Sequence, residues 1–171
     1  MQKITPCLWF ENKCEEAINY WINIYNTNPA KKSESKIILI QRYSDKPVPN
    51  LPMNGLEGKI LTAIFELEGQ KFMALDGGPI FKPNAAISFE ISCDTQEEVD
   101  HFWTKLSEGG DPNAQQCGWL QDKYGFSWQV VPKRLGELLT DPNKEKADKA
   151  MQAMLQMKKL VISDLEKAFN S

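Results

Sequence analysis

The sequence predicts an α+β fold made of two copies of one strand-helix-strand-strand-strand unit, followed by a helical extension. Three observations lead there. Glu15-Glu16-Ala17-Ile18-Asn19-Tyr20-Trp21 matches Glu97-Glu98-Val99-Asp100-His101-Phe102-Trp103 at an offset of 82 residues, and the same offset sets Asn12 on Asp94 and Pro6 on Ser88. A shared register of this kind is the mark of an internal repeat. Both matched stretches carry apolar residues at three- and four-residue spacing, and both follow an alternating run of strand formers. After Pro132 the strand pattern gives way to helical spacing up to the C-terminus.

In the first unit, Lys3 to Phe10 alternates and reads as a strand. Asn12 is placed to cap the next helix, with Glu15 completing a capping box. From Cys14 to Tyr25 the residues Ala17, Ile18, Trp21, Ile22 and Tyr25 form the apolar stripe of an amphipathic helix. Ile37 to Tyr43 is a strand, and Pro47 to Gly58, with three prolines, is an irregular loop. Ile60 to Glu68 and Lys71 to Asp76 read as a hairpin turning at Gly69-Gln70, and a loop from Gly77 to Asn84 ends the unit.

The second unit opens with a strand over Ala85 to Ser92. Asp94 or Thr95 caps a helix whose stripe is Val99, Phe102, Trp103 and Leu106, and Gly109-Gly110 stop it. The stretch Cys117 to Pro132 reads as a hairpin. Asp122-Lys123-Tyr124-Gly125 has the chemistry of a tight reversal, since Asp can bond its own backbone and Gly tolerates positive φ. Phe126 to Val131 is the strand that returns from it.

Beyond Pro132, Leu135 to Leu139 form a short helix, and Asp141-Pro142 reads as a cap with proline at the first helical position. Ala147, Ala150, Met151, Met154, Leu155 and Lys158 trace one face of the next helix. Ser163 with Glu166 reads as a capping box for a last helix carrying Leu165, Ala168 and Phe169. The Met151, Met154 and Met157 stripe can be read as an adaptable ligand surface, and more often such a stripe packs against the body or against a second subunit.

With 171 residues, 42% hydrophobic and 25% charged, the chain has the composition of a globular protein with one well-buried core or two small modules. A net charge of −3 and a pI near 5.3 give no general attraction to nucleic acid or anionic membrane. No apolar run approaches the ~20 residues that span a bilayer, and the N-terminus lacks the apolar region of a signal peptide. Cys7, Cys14, Cys93 and Cys117 are scattered without a C-x-x-C pair, so thiols and a cytoplasmic setting are expected.

Gly118, Trp119, Asp122, Tyr124, Gly125, Trp128, Gln129 and Pro132 follow the string Gly-Trp-x-x-Asp-x-aromatic-Gly-x-x-Trp-Gln-x-x-Pro. That string resembles the last hairpin of the PhnB-like branch of the glyoxalase/bleomycin-resistance/dioxygenase (vicinal oxygen chelate) superfamily. The run from Ala153 to Leu160 also resembles the tail of PhnB-like proteins. The resemblance covers about residues 1 to 132. It implies paired βαβββ modules, about 1–80 and 81–132, forming a U-shaped half-open barrel with helices outside, and leaves 133–171 as a C-terminal helical extension. Proteins of this kind often carry the label 3-demethylubiquinone-9 3-methyltransferase, and folds of the superfamily commonly pair as homodimers.

Metal-dependent members hold a divalent ion with four strand side chains. By the resemblance those positions fall on Pro6 (Thr5 if the register slips), roughly Ala74, Ser88 and Gln129. Pro and Ala cannot ligate and Ser is a poor ligand, so one amide oxygen would remain, and neither metal nor cofactor is expected. Asp76-Gly77-Gly78-Pro79 lacks the spacing of a nucleotide loop and has no helix after it. No glycine-rich loop between a parallel strand and a helix supports a methyl donor's cofactor, and no G-x-S-x-G or Cys/His pair supports a nucleophile. His101, the only histidine, falls on a helix.

Aromatic residues describe the expected site better. Trp9, Phe10, Phe65, Phe72, Phe89, Trp119 and Trp128 all fall on strands, where alternation turns about half to the concave face. Trp9, Thr62, Phe72, Ser88, Glu90, Trp119 and Gln129 are the candidate ligand-binding residues, with Gln129 inward and Trp128 on the opposite face. The catalytic residues are left open. Three classes of function remain: a metal-free binder of a small aromatic or apolar ligand, a lyase, isomerase or dioxygenase with unusual ligands, and an interaction module using the tail. The missing ligands favour the first.

Overall fold

The computed structural model describes residues 3–44 and 56–171. Most of the loop expected over 47–58 lies outside the described residues. The chain divides into two compact units, one ending at Pro83 and one running from Asn84 to Ser171.

The first unit is βαβββ: β1 (Cys7–Phe10), α1 (Cys14–Asn26), β2 (Lys36–Arg42), β3 (Ile60–Leu67) and β4 (Gln70–Asp76). Its sheet has the order β1-β4-β3-β2, with β1 parallel to β4 and the other pairs antiparallel. Cys14, Ala17, Ile18, Trp21 and Ile24 are the buried stripe of α1, so Ile22 and Tyr25 of the expected stripe lie at its margin. A ladder of rings joins helix to sheet, from Phe10 to Trp21, Trp21 to Phe65 and Phe65 to Phe72.

The N-terminus of α1 corrects the sequence reading. Lys13 is the cap residue, no side chain next to it in sequence caps the helix, and Asn12 lies at φ 60°. The acceptor arrives from the end of β4 instead. Asp76 Oδ1 accepts from the Asn12 N–H at 2.7 Å and Oδ2 from the Cys14 N–H at 3.3 Å. A buried carboxylate thereby meets N–H groups that a helix start leaves unpaired, at the positive end of the dipole. Glu15, freed from capping, pairs with Arg42, which holds its carboxyl below the usual range.

The β3–β4 turn is Glu68-Gly69, one residue earlier than expected, with φ 44° and 89°. Two positive φ values are what a two-residue type I′ hairpin requires. Glu68 is not glycine, and its N–H donates to Ser35 Oγ at 3.0 Å.

The second unit repeats the order with β5 (Ser88–Cys93), α2 (Gln96–Ser107), β6 (Asp111–Gln116), β7 (Trp119–Gln121) and β8 (Ser127–Pro132), the sheet running β5-β8-β7-β6. Thr95 caps α2 by accepting from the Glu98 N–H, and Glu98 accepts from the Asp94 N–H at 2.6 Å. Trp103 is only half-buried, so Val99, Phe102 and Leu106 carry the apolar stripe. β6, whose sequence is DPNAQQ, has no strand signature. As an edge strand it tolerates Pro112, and its register shifts between Asp111 and Gln116.

Three helices complete this unit: α3 (Lys133–Leu139), α4 (Lys144–Leu155) and α5 (Ile162–Asn170). Asn143, not Asp141, caps α4, and Val161 precedes α5, so Ser163 lies inside that helix and Glu166 pairs with Arg134. Leu135, Leu138, Ala150, Leu160 and Leu165 form their core, with Val131 of β8 packed against it. The tail therefore packs on its own second unit. Met151 and Leu155, expected on the packed face, are exposed at 44% and 51%.

Candidate functional site: the open sheet faces

Helices begin 82 residues apart, at Cys14 and Gln96, but the strands before them do not keep that offset. Phe10 and Cys93 both end their strands facing their helices, and they are 83 apart. The extra residue lies in the 11–13 bend that Asn12 turns at positive φ. Because strand side chains alternate, a slip of one residue exchanges faces. By face, Ser88 therefore corresponds to Thr5 rather than Pro6, and Gln129 corresponds to Met73 rather than Ala74.

In the first unit, Leu8, Phe10, Ala63, Phe65, Phe72, Ala74 and Asp76 are buried, on the side that α1 covers. Phe72, a candidate ligand contact, stacks on Phe65 at 5.3 Å and is part of that core. Alternation from Phe72 to Ala74 fixes the correction. Trp9, Thr62, Ile64, Met73 and Leu75 have the opposite parity and are half-buried. Met73 and Leu75 alternate with the buried Phe72 and Ala74, so they take the other face.

Trp9 is held by the loop after β4. Its Nε1 donates to Gly78 O at 2.8 Å, and Phe81 meets its ring edge-on at 4.9 Å. A Cβ on Gly77 would come within 2.3 Å of the Trp9 ring, so this glycine exists for close ring contact. The Asp76-Gly77-Gly78 stretch is thus committed to an indole and to a helix cap.

In the second unit the faces divide in the same way. Ile91, Cys93, Trp128 and Val130 are buried, and Phe89 meets Trp128 at 5.3 Å. Ser88, Glu90, Trp119 and Gln129 have the other parity. Gln129 pairs with Glu90 on one side and Trp119 on the other, and its Nε2 donates to Ser88 Oγ at 2.9 Å. Four of the seven candidates therefore lie together on one sheet. Trp9 and Thr62 share the open face of the other.

The hairpin is locked by Asp122. Its Oδ1 accepts from the N–H groups of Tyr124 and Phe126, and Oδ2 accepts from Trp128 Nε1 at 2.9 Å. This buried carboxylate fixes Trp128 under α2 and so sets Gln129 on the opposite face.

The residues do not fit a resident divalent metal. The face-matched set is Thr5, Met73, Ser88 and Gln129, with no imidazole and no carboxylate. Among the described residues no group of three or more His, Cys, Asp or Glu is placed to hold an ion. One amide and hydroxyls cannot replace the water that such an ion gives up. Glu90 is exposed, Glu66 lies opposite Lys36 and Lys71, and Glu68 accepts from the Lys32 N–H. His101 lies edge-on against Phe102 on α2. No helix among the described residues is long and apolar enough to cross a membrane.

Comparison with known proteins agrees with the topology. A family described as 3-demethylubiquinone-9 3-methyltransferase matches residues 2–131. A PhnB protein from Bacillus cereus is 37% identical, with 77% of this chain covering 99% of that one at a TM-score of 0.61. Protein PA1353 from Pseudomonas aeruginosa shares the fold at 21% identity and TM-score 0.58, over 77% of this chain and 98% of its own. No curated protein matches the chain. From its matched βαβββ units and its closing hairpin, this chain belongs to the 3-demethylubiquinone-9 3-methyltransferase family and is similar to a PhnB protein of that description.

Proposed function

We propose that this chain is a metal-independent binding protein for a small planar ligand, aromatic or apolar with one polar edge. The observation that carries the reading is the Trp119–Gln129–Ser88 row on the open face of the second sheet. An indole offers a flat apolar surface for stacking. Gln129 gives one N–H to Ser88, and that bond spends neither the Gln129 carbonyl lone pairs nor the Ser88 hydroxyl proton. A ring with an adjacent donor and acceptor suits both. Sites for small molecules are commonly apolar with a few such placed polar groups.

A metal-assisted lyase, isomerase or dioxygenase is the alternative, and the donor set speaks against it. Methyl transfer, which the family description names, would need a seat for a nucleotide-like donor. The glycines that could form one are instead packed on Trp9.

The same reading includes a homodimer. Edge strand β2 leaves Ile38, Leu39 and Ile40 exposed at 45%, 58% and 36%, an uncovered apolar edge that a second copy would pair. Light scattering is expected to give twice the 19.5 kDa chain mass, and a monomer at micromolar concentration would remove this part.

A ligand-observed NMR screen of planar heteroaromatic compounds tests the site. Compounds that bind the wild-type chain are expected to lose saturation transfer with Trp119→Ala and Gln129→Leu. Undiminished binding in both variants would overturn the assignment.

A further inference from the structure

We infer that residues 156–161, between α4 and α5, together with the helix ends Leu155 and Ile162 are a strap that sets the position of Trp119, and that Gln96 is the positioning residue that fastens it. This rests on the reading of Trp119 as a ligand contact. The β6–β7 turn joins Gln116 to Trp119 through two residues only, Cys117 at φ 51° and Gly118 at φ 85°. Both central positions of a type I′ turn are left-handed, a conformation that favours Asn or Gly at the first. Cysteine there is disfavoured by its Cβ.

The strap supplies what the turn lacks. Cys117 N–H donates to Met157 O and Gly118 N–H to Lys158 O, both at 2.8 Å, and Gln116 Nε2 donates to Leu155 O at 2.8 Å. Leu160 is fully buried against the turn, and a Cβ on Gly118 would lie 3.0 Å from both Leu160 Cδ1 and Val130 O. Gly118 O in turn accepts from Val130 N–H at 2.8 Å, tying the turn to β8. Trp119 follows directly and is paired with Gln129.

Gln96 fastens the strap at its far end. Gln96 Nε2 donates to Leu160 O at 3.2 Å, and its Oε1 accepts from the Ile162 N–H at 2.8 Å. The amide thus reads the strap backbone in both directions. Asp100, one helical turn along, holds Lys159.

The strap lies C-terminal to the stretch that the family model matches. The family match ends at residue 131, and 77% of this chain already accounts for 99% of the Bacillus cereus protein. Among the described residues the other two left-handed non-glycine residues, Asn12 and Glu68, also have their N–H groups held from afar, by Asp76 and Ser35. At Cys117 that remote acceptor comes from beyond the matched stretch.

Hydrogen exchange by NMR on the full chain tests the inference without any ligand. Its failure is therefore distinguishable from failure of the binding assignment. In Gln96→Ala the Cys117 and Gly118 amides should exchange about tenfold faster, the equilibrium equivalent of one left-handed residue's strain. The Trp119 indole resonance should shift, while Ile91 and Val130 amides and the Trp128 indole stay as in wild type. Adding Cys117→Gly, which removes the strain, should return the Trp119 resonance toward its wild-type position. Unchanged protection at Cys117 and Gly118 would overturn the strap. So would acceleration spread evenly over the unit, or an absence of rescue by Cys117→Gly.

Discussion

Replacing Asp122 by alanine removes the acceptor for three donors at once: the Tyr124 and Phe126 N–H groups and Trp128 Nε1. Tyr124 is half-exposed, so water can take its place there. Phe126 and Trp128 are 8% and 1% exposed, so their donors lose a partner that water cannot readily replace. A buried donor left unmet costs about 1–3 kcal/mol, and release of a buried carboxylate returns part of that. The expected loss is about 3 kcal/mol, or roughly 6–12 °C in Tm for a chain of this size. Asp122→Asn keeps an oxygen for the two backbone donors but turns an amide N–H₂ toward the Trp128 indole, so about 1–2 kcal/mol is expected. Urea unfolding followed by tryptophan fluorescence measures both, with the m-value unchanged. An alanine variant within about 0.5 kcal/mol of wild type would refute this account of the hairpin.

Asp76→Ala should cost about 1–2 kcal/mol through loss of the α1 cap, while Asn12→Ala should cost far less; comparable losses in urea unfolding would return the cap to Asn12. Burial, then the neighbouring Asp76 and Glu15 charges, pushes the Cys14 thiol up to about 12, and burial with Glu98 and Asp94 does the same for Cys93. Neither should react with a disulfide reagent at pH 8 in the native chain, and rapid labelling of either by mass spectrometry would contradict their placement. Burial raises the Asp100 carboxyl, but hydrogen bonds from Lys159 and Gln96 outweigh it and hold the group below its ordinary 3.8. A lowered folded value means stability that is present above the unfolded value and lost as pH falls through the folded one. The Tm difference between wild type and Asp100→Asn should therefore be present at pH 7 and fade below about pH 4; a pH-independent difference would show that the ion pair does not contribute.

The repeat, both helices and the closing hairpin were legible because each rests on local periodicity or turn chemistry. Trp21, Phe102 and the Asp122–Gly125 reversal are readable within a few residues of themselves. What escaped was set by contacts across the chain. The α1 cap comes from Asp76, 64 residues beyond Asn12. The inserted residue before α1 reverses strand parity, which put Ala74 and Phe72 on the wrong side. β6 has no strand composition and pairs with β7 at a shifted register. That Ser88, Glu90, Trp119 and Gln129 share one face of one sheet was readable from strand alternation. Gln96 was not, because nothing local marks a polar residue at a helix start as a backbone clamp.

The account stands most directly on whether binding needs a metal. The compound that binds best in the NMR screen should be titrated by calorimetry into the full chain twice, once with excess EDTA and once with Mn²⁺ or Zn²⁺. The same Kd in both titrations, with binding lost in Trp119→Ala, is the predicted result. Binding that appears only with the divalent ion would contradict it.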